Sequence, residues 1–213
     1  RGNVYFYCLL AKKYNFIFSL KNCRNVLHNG ICVTKKGIFF GEYGANTERK
    51  NVPIYGSYDD GRNWNEVYSF PNNYIKHIHG IYFDKFSNSL FIATGDFEKE
   101  CFIAKVPNGD FSSLEIIGDG SQKYRCVSIF FKEDKIIWGM DSPLEKSYLQ
   151  ILDRKTNKLT RGISFPGPVW YSKNFQDGSG IIQTSVEIGP SVQDNYSYIY
   201  FSRDLLEWKK LAK

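Results

Sequence analysis

Short apolar runs alternate with polar turns from one end of the chain to the other, and nowhere does a helical spacing take over. Runs this short, rich in Ile, Val, Phe and Tyr and bounded by Gly, Asn, Asp and Ser, predict β-strands. The runs recur in sets of four. First strands are predicted at GICVTK (30–35), GIYFDK (80–85), CVSIFFK (126–132) and VWYSKN (169–174). Second strands are predicted at GIFFGEY (37–43), SLFIATGD (89–96), KIIWGMD (135–141) and GIIQTSVE (180–187). Third strands follow at VPIYGS, CFIAKV, YLQILD and YSYIYFS, and fourth strands at NEVYSF, SLEIIG, LTRGIS and KKLAK.

The second strands begin at 37, 89, 135 and 180, steps of 52, 46 and 45 residues. A period of that size with four strands in each repeat is the sequence signature of a β-propeller. The opening VYFYCLL and YNFIFSL read as the third and fourth strands of a further blade. The expected fold is therefore all-β: one propeller domain over 1–213 with about five blade units, or a piece of a larger ring. Its parts are a half blade at 1–26 and four complete blades at 27–72, 73–120, 121–165 and 166–213.

One turn carries a tag. SYDDGRNW at 57–64 supplies Ser57, Asp59, Gly61 and Trp64, in the slot between a third and a fourth strand. SRDLLEW keeps Ser202, Asp204 and Trp208 without the glycine, and DRKTNK at 153–158 fills the same slot more loosely. The first turn resembles the Asp box, S-x-D-x-G-x-x-W, of the BNR-repeat (sialidase-like) propeller superfamily. The resemblance implies a propeller and gives these four residues a structural role: Asp accepts turn N–H groups, Gly turns the chain, and Trp packs into its blade. It covers the repeat rather than a sialidase active site, because no arginine triad can be placed on the chain's arginines.

An antiparallel hairpin brings the start of a first strand beside the end of the second. Residues at those two places in every blade should then share one face of the ring. The first complete blade puts His28, Glu42, Tyr43 and Arg49 there, and the second His77, His79 and Asp96. The third contributes Gln122, Arg125 and Asp141, and the fourth Trp170, Tyr171 and Glu187. All three histidines and an acid after every second strand fall in this set. Convergent polar groups of this kind mark a binding site in a concave pocket.

Three chemistries fit the set. Pairs among Glu42, Asp96, Asp141 and Glu187, with His77, can act as acid and base or nucleophile on a glycosidic bond. His28, His77 and His79, with Glu42 or Gln122, can hold a divalent metal. This second constellation resembles metal-assisted uronate lyases built on propellers, which implies a polysaccharide lyase. In the third chemistry, Tyr43, Trp170 and Tyr171 stack on sugar rings while Arg49, Gln122 and Arg125 grip hydroxyls or carboxylates. The expected function is thus a carbohydrate-active propeller: a glycoside hydrolase or a metal-assisted polysaccharide lyase acting on carbohydrate, including acidic glycans. The alternative is a non-catalytic propeller that binds glycan or protein.

Composition narrows this picture. Net charge is +6, yet 28 basic residues are offset by 22 acidic ones with no basic block, so nucleic acid is not the expected partner. No apolar run is long enough to span a membrane as a helix. Five scattered cysteines without a C-x-x-C pair predict reduced, buried thiols and no disulfide framework, which favours a cytoplasmic setting. The start, RGNVYFYCLL, carries no initiator Met and no signal-peptide pattern.

Overall fold

The structure is a computed structural model that describes residues 2–23, 25–27 and 30–213. The fold is all-β, of the β-propeller class, and the described residues form four four-stranded antiparallel sheets and one two-stranded sheet. The two-stranded sheet pairs β1 (Asn3–Cys8) with β2 (Lys13–Ser19). The first four-stranded blade comprises β3 (Cys32–Val33), β4 (Ile38–Gly41), β5 (Val52–Ser57) and β6 (Asn65–Phe70). The second comprises β7 (His77–Asp84), β8 (Ser89–Gly95), β9 (Cys101–Pro107) and β10 (Glu115–Gly120). The third comprises β11 (Phe130–Phe131), β12 (Lys135–Gly139), β13 (Ser147–Asp153) and β14 (Leu159–Phe165). The fourth comprises β15 (Val169–Asn174), β16 (Gly180–Thr184), β17 (Ile199–Ser202) and β18 (Lys209–Ala212). Each blade is a meander, with every strand paired to its neighbour in sequence.

The chain forms two compact units: Arg1–Gly95 with Ile103–Ile117, and Asp96–Phe102 with Gly118–Lys213. In the first unit Leu20, Cys23, Phe40 and Tyr55 make a buried cluster, against which Val4, Phe18 and Trp64 pack. This cluster fastens one face of the two-stranded sheet to the first four-stranded blade. In the second unit Phe130, Ile137, Leu149, Phe165, Val169, Ile182, Tyr200 and Trp208 belong to one continuous core spanning the third and fourth blades.

Adjacent blades close by a repeated device. β4 and β12 each end in glycine, and each glycine faces the first strand of the next blade. A Cβ on Gly41 would sit 2.4 Å from Ile78 Cδ1, and a Cβ on Gly139 would sit 2.7 Å from Val169 Cβ. The backbone locks at the same level: Ile78 N–H donates to Glu42 O at 3.0 Å, and Val169 N–H donates to Met140 O at 2.9 Å. Only hydrogen at the glycine position lets the two backbones come this close.

Three turns between third and fourth strands each close on an aspartate whose carboxylate accepts a backbone N–H. In the first, Asp59 Oδ1 accepts from Ser57 Oγ and from Asn63 N, Gly61 N donates to Ser57 Oγ, and Trp64 Nε1 donates to Gly61 O at 2.9 Å. In the last, Asp204 Oδ1 accepts from Ser202 Oγ, Leu206 N and Glu207 N, and Trp208 Nε1 donates to Leu205 O at 3.0 Å. Leu205 stands in the glycine's place with φ +67°, against +86° at Gly61. Burial of its side chain to 2 % exposure in the core offsets that left-handed backbone. In the third turn Asp153 Oδ1 accepts from Thr156 N at 2.8 Å, and Asn157 takes the left-handed position with φ 54°. Donated backbone N–H bonds hold all three carboxyls below the usual aspartate range, chiefly those of Asn63, Glu207 and Thr156.

The blade-closing glycine yields a direct test. Gly41→Ala drives a methyl into Ile78 and should lower unfolding stability by about 1–3 kcal/mol. Urea denaturation of the two proteins measures it.

Candidate functional site

The predicted site residues fall into two groups, one in each unit. In the first unit β7 begins earlier than the sequence pattern suggests, so His77 and His79 lie within the strand rather than before it. Both are buried, at 3 % and 2 % exposure. His79 is the extra residue of a β-bulge: Ile78 pairs with Thr94 and Gly80 with Ala93. A bulge re-aims side chains, and bulges recur beside functional sites.

The imidazoles are close and oriented. His77 Nδ1 lies 2.7 Å from Gly44 O. A carbonyl oxygen only accepts, so Nδ1 carries the proton and the neutral ring keeps its lone pair on Nε2. That Nε2 lies 3.0 Å from His79 Nε2, which donates to it when both rings are neutral. Tyr43, half-buried, lays its ring 4.3 Å from that of His77 and 6.0 Å from that of His79. His28, the third predicted metal ligand, lies outside the described residues.

Glu42 is adjacent in sequence but turns its carboxylate away. Its backbone carbonyl accepts from Ile78, while its side chain accepts from Lys21 N at 2.5 Å, Asn22 N at 2.8 Å and Tyr55 Oη at 3.0 Å. It ties the segment after β2 to the first blade. Burial, reinforced by this carboxylate's field, pushes the nearby Cys23 thiol up to about 11. Arg49 folds back on its own turn, with φ 49° and Nη1 donating to Asn46 O at 3.0 Å.

In the second unit the acids that follow three second strands converge on one guanidinium. Arg125 Nε lies 3.3 Å from Asp141 Oδ2, and its Nη2 lies 3.4 Å from Asp96 Oδ1 and 3.8 Å from Glu187 Oε1. Nη1 also donates to Asp96 O at 3.2 Å. Burial opposes the charge on Arg125, but the fields of Asp141, Asp96 and Glu187 outweigh it and hold its pKa above the ordinary arginine value. Gln122, 1 % exposed, donates from Nε2 to Asp96 O at 2.9 Å and accepts from Ser142 Oγ at 2.7 Å. Both ends of that amide are engaged within the protein. Trp170 and Tyr171 are by contrast exposed, at 41 % and 39 %, with ring centroids 6.2 Å apart. Trp170 is the extra residue of a second bulge, at the start of β15.

Sequence reasoning missed three features here. Ser142 showed no signal. Gly44 takes part through its carbonyl, which any residue type supplies. The assignment of Arg125 to a ligand overlooked that three acids at equivalent strand ends meet at one place and need a cation there.

Two outcomes follow. Arg125→Met leaves three clustered carboxylates without their cation and should destabilise the fold by about 3–5 kcal/mol in urea unfolding; Arg125→Lys, lacking the planar fork, should recover only part of the loss. An unfolded cysteine thiol ionises near 9.0, whereas Cys23 keeps its proton to about 11. A proton held more tightly in the folded state stabilises it below pH 9, and that contribution is lost between pH 9 and 11. Melting temperature should therefore fall across that window, and less steeply in Cys23→Ala.

No protein-family model matches the chain, and no curated protein matches it. Among solved structures, a GH74 xyloglucanase from Xanthomonas campestris superposes with a TM-score of 0.67 at 13 % identity, over 94 % of this chain and 32 % of its own. Bacteroides ovatus GH43B, from a xyloglucan utilisation locus, superposes with a TM-score of 0.53 at 12 % identity, over 86 % of this chain and 40 % of its own. The chain therefore spans well under half the length of either neighbour. At such identities the likeness is one of fold: the four-stranded repeat read from the sequence is the repeat of known propellers.

Proposed function

We propose that this chain is part of a carbohydrate-active propeller of the Asp-box type, and that the His77–His79 pair is its chemical centre, holding a divalent cation for cleavage of a polysaccharide. One observation carries this reading. Gly44 O directs the proton of His77 to Nδ1, so that its Nε2 presents a lone pair 3.0 Å from the matching atom of His79. Imidazoles that ligate a metal typically donate their other N–H to a carbonyl or carboxylate in this way. Two imidazole nitrogens bound side by side on one ion, each at about 2.1 Å, lie roughly 3.0–3.4 Å apart. Tyr43 walls the pair and offers a ring face to a sugar. The folds superposed above belong to proteins named for glycoside hydrolase families, which favours a saccharide over other ligands.

Hydrolysis by a carboxylate pair has weaker support. Asp96, Asp141 and Glu187 surround Arg125, and Glu42 is taken up by two backbone amides and a phenol. That same pairing favours the second reading, a non-catalytic glycan-binding propeller, in which the acids serve the fold.

Titration calorimetry with Mn²⁺, Zn²⁺, Ni²⁺ and Ca²⁺ tests the centre. Wild type should bind one cation per chain, with affinity falling on acidification as protons compete for the imidazoles. His77→Ala and His79→Ala should each lose at least tenfold in affinity. A polysaccharide panel read for new reducing ends should show cleavage that a chelator stops. Heat of binding that is absent in wild type, or unchanged from wild type in both variants, removes the cation; binding without cleavage leaves the glycan-binding reading.

A further inference from the structure

The β7–β8 hairpin carries a second concave place, at the end away from the imidazoles. His77 pairs with Gly95 at one end of the ladder and Asp84 with Ser89 at the other. The length of β7, about 23 Å at 3.3 Å per residue, separates the two ends. At the turn end a small pocket of about 30 Å³ lies between the first and second blades. Phe39 and Leu90, both buried, and Tyr58 and Phe83, both exposed, line it. A space of this size takes roughly two water-sized groups, enough for an acetyl and too little for a sugar ring. Asn88 and Asn108 line the same pocket from neighbouring hairpin turns, both left-handed, with φ 50° and 54°. Asn108 N donates to Asn88 O at 3.0 Å, and Asn88 Nδ2 donates to Asn108 Oδ1 at 2.9 Å. Lys36 Nζ donates to Asn108 O at 2.9 Å and ties this turn to the first blade. Both asparagines are exposed, and among the described residues Asn88 Oδ1 and Asn108 Nδ2 have no protein partner. The bond between the amides thus holds them side by side and leaves one acceptor and one donor facing solvent.

We infer that this pocket receives the acetamido group of an N-acetylhexosamine residue. A secondary acetamide is a methyl joined to one acceptor and one donor, the complement of an apolar hollow with one donor and one acceptor beside it. The methyl enters against Phe39 and Leu90, the amide N–H donates to Asn88 Oδ1, and the amide C=O accepts from Asn108 Nδ2. The pyranose stays outside and lays its C–H face on the exposed ring of Tyr58 or Phe83. An acetylated lysine carries the same group, but at the end of a four-carbon stem that needs a channel, and a pocket of about 30 Å³ supplies none. A glycan held here lies the length of a strand from the imidazoles, so the pocket anchors a chain and takes no part in cleavage. The inference rests on the carbohydrate reading above for the class of ligand, but not on the cation.

The test uses the whole chain treated with chelator, so the imidazole centre plays no part. N,N′-diacetylchitobiose, cellobiose and a peptide carrying acetyl-lysine are titrated separately, followed by calorimetry and saturation-transfer NMR. Diacetylchitobiose should bind saturably, with the strongest saturation transfer at its acetyl methyl. Cellobiose, the same disaccharide with hydroxyls in place of acetamides, should bind at least tenfold more weakly. Asn88→Gly and Asn108→Gly keep a residue suited to left-handed backbone and should each weaken diacetylchitobiose several-fold. Phe83→Ala with Tyr58→Ala should weaken it at least tenfold. The comparison with cellobiose is made on wild type and stands whether or not a variant folds. No saturable binding of diacetylchitobiose, equal binding of cellobiose, tighter binding of the acetyl-lysine peptide, or binding indifferent to both glycine variants each overturns the pocket. If cation binding at His77 persists in untreated protein while diacetylchitobiose fails here, only the pocket falls. If cation binding fails and diacetylchitobiose binds here, only the cation centre falls.

Discussion

The close approach of one blade's second strand to the next blade's first strand is the contact on which the rest depends. At Gly41 and Gly139 no side chain intervenes, and a main-chain hydrogen bond joins the blades at the same height. The hydrophobic effect alone would hold two apolar sheets together at many offsets. The glycine and the N–H···O bond to residue 42 or 140 select one. That choice sets where each first strand begins relative to the acid that ends the preceding second strand.

From that offset the site geometry follows. In the first unit, the bond from Ile78 N to Glu42 O places His77 one residue away on β7, within reach of Gly44 O and the Tyr43 ring. The bulge at His79 then turns a second imidazole towards the first. In the second unit, the segments after β8, β12 and β16 deliver Asp96, Asp141 and Glu187 to a single guanidinium. Burying that many charges is tolerable because Arg125 forks between them. The same architecture thus yields one pair of imidazoles facing nitrogen to nitrogen and one guanidinium shared by three acids. The first presents two ring nitrogens to each other, and the second spends its charges on holding three strand ends together.

The repeat was legible because a propeller blade is a local object. Turn residues and apolar runs specify each meander without reference to its neighbours, and β5, β6 and β15 coincide with the predicted third, fourth and first strands. The turns carrying Asp59, Asp153 and Asp204 were also readable, since their bonds close within a few residues. Where a left-handed residue was expected to be glycine, Leu205 shows that burial can override local preference.

Sequence by itself determined that the chain is a series of four-stranded units and which acids follow the second strands. Those features arise from periodicity and spacing, which act over short stretches. Tertiary structure alone decided that Glu42 faces inward to main-chain amides, that three other acids share Arg125, and that His77 and His79 meet nitrogen to nitrogen. The reason is physical. A side chain's role is set by where its polar atoms find partners, and these partners come from segments distant in the chain, such as Asp141, Asp96 and Glu187 for Arg125 or Lys21 for Glu42. A one-residue bulge or a missing Cβ redirects them without leaving any mark in the pattern of apolar and polar positions.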